Sequence, residues 1–521
     1  MIASWYTRRM KLPDRGKEAI RAPYRPFPHA RIVFESDALA EAIRPCGRFR
    51  SPLSWSGRMR LRSELRALSA GPIGERLILA DAAPLNWEIL VRYLHAEGII
   101  DSPRFAFDQL ENDMPKRPSV RLTAHSGMSD TDGREVSRYG FGSAATAEEA
   151  MSRAVGEVLE RYSLSTYRRA DLIEAPYKEA RAWRVRPMDI FALNDFLPWQ
   201  KEMFPNLARA DSRPVAWVRG FEFPSGAPVH LPAQLVYWNY RFREGEMALG
   251  EPNTNGGAGH FTRDEAILSG LLELIQRDGF LIYWLNNLPP KRIDPSTIVD
   301  TEIKDLLQYL RRYRLDAYFL NTTTDIGVPS CACFLVDQRA PGGPLVTVGG
   351  AAGFSLRELI TQSAGEALAV HGGVAGRDTY RLPERYRPFS SWRVGRDERL
   401  TLWRGEEMFG RLRQFLEGPL QSFEGFIGEA AWQDTPAKRL AYIVHRLKRL
   451  GAGYEIYYRE ARHPALERLG YHAVKVIVPK LVSLYLRENM APLSASRLRD
   501  VPEALGYKAA EQPNLWPHPF P

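Results

Sequence analysis

Carboxylates set inside apolar helical stretches are the first residues here whose type and position could do chemistry. Three ungapped segments share one pattern: ATAEEAMSRAVGEVLERYS from Ala145, FTRDEAILSGLLELIQRDG from Phe261 and FSLRELITQSAGEALAVHG from Phe354. Each carries a hydroxyl residue at its second place (Thr146, Thr262, Ser355) and a glutamate three residues later (Glu149, Glu265, Glu358). Another glutamate follows eight residues beyond that (Glu157, Glu273, Glu366). The hydroxyl and the nearer glutamate read as a capping box, in which the hydroxyl takes a backbone N–H and the glutamate reaches back. For Glu265 a place in a functional site stays equally open. The farther glutamates lie well inside their helices among Ala, Val, Leu and Ile. A carboxylate there must be paired, hydrogen-bonded or metal-bound, because desolvating it otherwise costs several kcal/mol.

At about 100° per residue, Arg153, Glu157, Glu160 and Arg161 share an arc of roughly 100° on the first helix. On the second, Glu265, Glu273 and Gln276 share roughly 80°, with Arg277 close by. Two helices that each aim carboxylates and an arginine from one face could hold a divalent metal and phosphate together. Carboxylates are hard oxygen ligands suited to Mg²⁺, and arginine offers phosphate a fixed fork of donors. From geometry alone, an interhelix ion-pair network is the alternative. No GxxxxGK[ST] loop, GxGxxG spacing or kinase motif set occurs, which excludes the glycine-cradle nucleotide folds. ATP, if bound, would be held through carboxylate-bridged magnesium.

The elements that must position these residues are repeated strand–helix units. Three similar helices, each preceded by a glycine-containing segment, predict a layered α/β (α+β) domain. The chain's 521 residues predict two to four units at about 150 residues each. Hydrophobic content of 44% and charged content of 26% fit a soluble globular protein, and exclude collagen-like and mostly disordered classes. There is no apolar run near the roughly 20 residues that span a bilayer, and the start lacks the apolar stretch of a secretory signal, so a cytoplasmic protein is expected. Of the three cysteines, Cys331 and Cys333 in SCACF read as buried strand residues, and with Cys46 they are too few for a disulfide scaffold or a zinc site. The net charge of +9 permits an anionic partner without selecting one.

Residues 1–120 read as a separate N-terminal region. Ser63 to Ile100 predicts helix, strand, helix, with Leu85, Ile89, Leu90, Tyr93 and Leu94 at helical spacing, an order resembling part of a winged helix. Glu111 to Ser119 reads as a linker, residues 121–482 as the repeat-bearing domain and 483–521 as a C-terminal segment. Within Gly470 to Leu493, Val474, Val476 and Val478 alternate as in a buried strand.

The paired signatures RAVGEVLERYS (Arg153 to Ser163) and NTNGGAGHFTRDEAILSGLLELIQRD (Asn253 to Asp278) resemble the YcaO superfamily over roughly Ala124 to Val482. The ending PHPFP, residues Pro517 to Pro521, resembles that of the azoline-forming cyclodehydratases, the D proteins of thiazole/oxazole-modified peptide pathways. This resemblance implies ATP- and Mg²⁺-dependent cyclodehydration of Cys, Ser or Thr in a ribosomal precursor peptide. It places Glu157, Glu160, Glu265 and Glu273 around Mg²⁺-ATP, with Glu157, Glu160, Glu273 and Gln276 as metal ligands. Arg161 and Arg277 would lie near the phosphates and Asn255 in the nucleotide pocket, and the repeat adds Glu366. Arg153 stands where the first motif usually has Ser, and Gln276 where the second usually has Glu.

The resemblance also brings Pro517, Pro519 and Pro521 into the active site, as a stiff rod with little ordering entropy to lose, whose terminal carboxylate positions or deprotonates the substrate. The implied partners are a leader-bearing precursor peptide, an E1-like leader-binding C protein and a flavin-dependent azoline dehydrogenase, with a homodimer also open. No membrane partner is expected, and the N-terminal region suits docking or leader binding better than DNA. The competing readings are thioamide or amidine formation by the same ATP logic, and a non-catalytic ATP- or nucleic-acid-binding scaffold.

Overall fold

The computed structural model describes residues 87–107, 119–124, 139–144, 146–390, 394–426, 433–461 and 463–520. Helix α1 (Trp87–Ala96) precedes an antiparallel sheet, in order β1 (Ala106–Phe107), β2 (Ser119–Thr123), β3 (Tyr139–Ser143), and helix α2 (Ala147–Ser165) follows. Strands β4 (Ile173–Pro176), β5 (Pro214–Phe223), β6 (Pro228–Pro232) and β7 (Gly257–His260) lead into α3 (Arg263–Leu285). Next come β8 (Lys291–Ile293), α4 (Thr301–Arg312), β9 (Leu315–Asn321), β10 (Ser330–Asp337), β11 (Leu345–Ala352) and α5 (Leu356–Val374). Helices α6 (Arg396–Leu402) and α7 (Glu406–Leu416), β12 (Leu420–Gln421), α8 (Pro436–Arg449), β13 (Ile456–Glu460), β14 (His472–Ile477) and α9 (Arg497–Ala504) complete the chain. A five-stranded sheet runs β11-β10-β9-β8-β12, and a six-stranded one runs β4-β5-β13-β14-β7 with β6 paired to β5. The architecture is mixed helix and sheet, as the repeat implied.

Each repeat is a strand, a tight connection and a capped helix. The caps form at all three starts: Thr146, Thr262 and Ser355 hydroxyls accept the N–H groups of Glu149, Glu265 and Glu358 at 3.2, 3.3 and 3.3 Å. Glycines let each helix lie close on its strand. A Cβ at Gly142 would fall 1.8 Å from the Ala150 carbonyl oxygen, and one at Gly349 would fall 2.3 Å from that of Ser363. Helix α3 is buried around most of its circumference. Its first half packs with β14 and α8, and its second half with β10, α7 and the C-terminal segment. Strand β10 is buried on both faces, so Cys331 and Cys333 are enclosed free thiols, as a central strand requires.

At the N-terminal side, Leu90, Leu94, Ile99 and Ile100 share one core with Val120, Leu122, Ala154 and Val158. The stretch 63–86, the linker 111–118 and Cys46 lie outside the described residues. Among those described, no helix is long and apolar enough to cross a membrane.

Candidate active site

Three helices deliver one carboxylate each by the same device. Glu157 Oε2 accepts the Phe141 N–H at 2.5 Å, Glu273 Oε2 that of Gly256 at 2.7 Å, and Glu366 Oε2 that of Gly350 at 3.0 Å. Every bond ties the helix interior to the glycine-bearing segment before it, which accounts for carboxylates on such apolar helices. Gly256 needs its glycine: its φ is 75°, and a Cβ would meet the Val476 carbonyl at 2.4 Å. The second oxygens face arginines, Glu157 pairing with Arg161 and Glu273 lying 3.5 Å from Arg277.

Glu160 lies between the first two helices' carboxylates. Burial, then the charges of Glu273 and Glu157, push its carboxyl up to about 8. Lys475, on β14 and only 3% exposed, donates to the Asn253 carbonyl at 2.7 Å. Its ammonium is pushed down to about 8 by burial, against the pull of Glu273 and Glu160. Burial also holds Glu366 above the ordinary carboxylate range, with Arg277 pulling the other way. Arg396, at the start of α6, is lowered by burial and by Arg161. Glu366 and Arg396 both keep side-chain surface exposed to solvent. Lys475 and Arg396 were not singled out from sequence; the only available signal for Lys475 was a lysine within a Val/Ile run.

Other expected residues have different neighbours. Glu265 stays at the start of α3, accepting from Thr262 Oγ1 at 2.6 Å and pairing with His260 at 3.0 Å. Asn255 ties loops together, its amide donating to Ser483 Oγ at 2.8 Å and to the Leu484 carbonyl at 2.7 Å. With Asn253, Glu251, Lys475 and Tyr485 it lines a cleft whose other walls are mainly apolar. Arg153 binds the Ser143 carbonyl and Glu149, both at 3.1 Å. The amide nitrogen of Gln276 abuts Gly350 beside the Phe520 ring and has no hydrogen-bond partner.

The C-terminal stretch Pro517–Phe520 is buried beside these residues. Phe520 lies with its ring 4.5 Å from the Arg277 guanidinium carbon and 4.7 Å from the Phe280 ring. His518 meets the Tyr485 carbonyl at 2.7 Å, and the fully buried Arg399 reaches the His518 carbonyl at 3.4 Å while pairing with Glu488 at 2.7 Å. Arg497 anchors the preceding segment through two bonds to the buried Asp278, at 2.8 and 2.7 Å, and a third to Asp325 at 2.8 Å. Pro521 lies outside the described residues.

Among the described residues no three His, Cys, Asp or Glu side chains are already gathered to hold a metal ion, since Glu157 and Glu273 each use one oxygen on the backbone and turn the other to arginine. The donor set nevertheless fits magnesium. Glu157, Glu160 and Glu273 are hard oxygen donors; Glu160 is raised first by burial and then by the charges of the other two, and a divalent cation would offset that gathered negative charge.

A family model described as YcaO cyclodehydratase, ATP- and Mg²⁺-binding, matches residues 141–482. An uncharacterised protein from the tfuA 3′ region of Rhizobium leguminosarum bv. trifolii is 32% identical over 192 residues, 35% of this chain and 41% of that one. An uncharacterised Methanothermobacter thermautotrophicus protein is 26% identical over 264 residues, half of this chain and 63% of that one, so the chain spans less than two thirds of either curated relative. Among solved structures, a heterocyclase in complex with substrate and cofactor superposes with a TM-score of 0.64 at 20% identity, over 90% of this chain and 59% of the other. YcaO from Methanopyrus kandleri, bound with AMPPCP and Mg²⁺, gives 0.54 at 18% identity, over 78% and 92%. These two likenesses establish a common fold. With the family match covering most of the repeat-bearing region, the chain belongs to the ATP- and Mg²⁺-binding YcaO family.

Proposed function

We propose that this chain is an ATP-dependent cyclodehydratase that turns Cys, Ser or Thr of a precursor peptide into thiazoline or oxazoline. The observation that carries the reading is the meeting of two features on α3. Its Glu273 stands with Glu157 and Glu160, and its Arg277, one turn on, lies against the Phe520 ring of the Pro517–Phe520 stretch. A proline-rich segment seated next to Arg277, the arginine we assign to the phosphates, suits azoline formation better than the other ATP-dependent conversions. The likeness to a heterocyclase solved with substrate supports it.

In this reading the thiol or hydroxyl adds to the preceding amide carbon, its proton passing to water, and the C=O π pair moves onto the oxygen. That oxygen bonds to the terminal phosphorus of the co-substrate ATP as ADP leaves. The amide nitrogen then forms C=N, loses its proton and expels phosphate, which carries the former amide oxygen. Glu157, Glu160 and Glu273 would hold magnesium, whose chemistry is to offset phosphate charge. Arg161 and Lys475 bring positive charge to the same place, and Arg277 lies beside the tail. Glu265 supports the start of α3, and Asn255 holds the loop beside the cleft that it lines. We assign docking or leader binding to residues 1–120, catalysis to 121–482, and a separate leader-presenting protein and a flavin-dependent dehydrogenase as partners in trans. Incubation with a Cys/Ser-rich precursor, its leader-presenting partner and Mg²⁺-ATP should release phosphate only when peptide is present and remove one water mass per modified residue. Oxygen-to-sulfur exchange instead would identify a thioamide-forming enzyme and overturn the reading.

A further inference from the structure

Glu157 and Glu273 each face an arginine one turn on, Arg161 and Arg277. Glu160 has Leu164 in that place, and its further counter-charge comes from a different element. Strands β7 and β14 pair with Gly257 opposite Lys475, and residues directly opposite in an antiparallel pair project from the same face. Gly257 carries no side chain, and a Cβ there would lie 2.8 Å from Glu160 Oε1. The glycine lets the carboxylate rest on the strand at the position beside the lysine. Lys475 is 3% exposed, and its Nζ donates to the Asn253 carbonyl at 2.7 Å. Three residues on, Gly256 gives its N–H to Glu273. One short loop therefore fixes both the ammonium and Glu273, and its neighbouring strand carries Glu160.

A lysine at this depth is costly unless opposite charges hold it. Glu273 and Glu160 are the groups that favour its charged form against burial, and Lys475 in turn favours the charged form of Glu160. Carboxylates gathered to take up a cation repel one another until that cation arrives, so a permanent positive charge among them keeps the cluster together. Arg161 and Arg277 keep 20% and 14% of their side-chain surface open to solvent. Those two are placed to meet an incoming phosphate, and the deeper lysine to stay with the carboxylates.

We propose that Lys475 is the resident counter-ion of the magnesium site: it holds Glu160 and Glu273 together before the metal arrives, and its fixed charge limits how tightly the metal is then taken up. This assignment rests on the reading of Glu157, Glu160 and Glu273 as the magnesium holders. It makes Lys475 a positioning residue that acts through two carboxylates. A lysine that bound phosphate would strengthen nucleotide binding and leave uptake of the bare metal alone; a counter-ion opposes the bare metal directly.

Lys475→Met keeps a long buried stem and removes the charge. In EDTA its Tm should lie about 2–4 °C below wild type, and saturating Mg²⁺ should close the gap. Without nucleotide, calorimetry should show Mg²⁺ bound about tenfold more tightly than by wild type. Lys475→Met/Glu160→Gln removes one charge of each sign and should bring Tm in EDTA back to the wild-type value. A packing role alone would lower Tm equally with and without magnesium and give the double variant no recovery, which overturns the proposal. Unchanged Mg²⁺ affinity with weaker Mg²⁺-AMPPNP binding also overturns it, by making Lys475 a phosphate contact. A single variant that folds only in magnesium supports the proposal, and one that folds in neither condition counts against it. No measurement here uses peptide, so an absence of azoline from the wild-type protein would sink the functional reading alone.

Discussion

Glu273 does two things with two oxygens: Oε2 fixes the turn at Gly256, and Oε1 faces Arg277. The two roles separate in Glu273→Gln, whose carbonyl oxygen can still accept the Gly256 N–H while the charge is gone. We expect thermal stability near wild type and Mg²⁺-AMPPNP affinity weaker by about 10- to 100-fold, read by calorimetry; unchanged affinity would remove Glu273 from the metal site. The interior glutamates were legible in the sequence because a carboxylate on an apolar helix must find a charge, a hydrogen-bond donor or a metal. Lys475 was not, since its partners Glu160 and Glu273 lie far away in sequence and its strand reads simply as buried. Asn255 was legible through its glycine-rich surroundings, while its amide donors join two loops beside the cleft that it lines.

The strand–helix unit, used three times, explains why the site forms at all. Its glycines set the distance between helix and strand, and the carboxylate-to-backbone bond fits only at that distance. Gly142→Ala would drive a methyl group into the Ala150 carbonyl at 1.8 Å. Destabilisation of about 1–3 kcal/mol is expected in chemical denaturation. Gly372→Ala on the exposed side of α5 meets nothing within 4 Å and should instead stabilise by about 0.5–1 kcal/mol. Equal effects would mean that close approach is not what these strand glycines provide. The repeat, its caps and its helix order could be read by self-comparison, since local chemistry fixes them. The pairing of the strands could not, because β13 and β14 complete a sheet begun by β4 and β5 from the far end of the chain. Nor could Arg497–Asp278 and Arg399–Glu488, whose partners become neighbours only after folding.

At the scale of the whole molecule, the C-terminal segment returns to the central helix and closes one side of the site. His518 makes that closure sensitive to acid. Burial, then Arg399, holds its imidazole well below 6.5. A folded value below the unfolded one gives a stabilising contribution that is present above about 6.5 and is lost as pH falls through the depressed value. Between about pH 7.5 and pH 5, the wild-type Tm should therefore fall more than that of His518→Gln, which cannot ionise and can still donate to the Tyr485 carbonyl; equal falls would assign the acid sensitivity to other groups. Trp516, just ahead of the buried prolines, lies under the Arg411 guanidinium at 4.1 Å, with its carbonyl receiving the Trp284 indole N–H. Release of this segment would carry that indole from beneath a cation into water and change its emission, so the polypeptide contains an optical gauge of its own closure that requires no added dye.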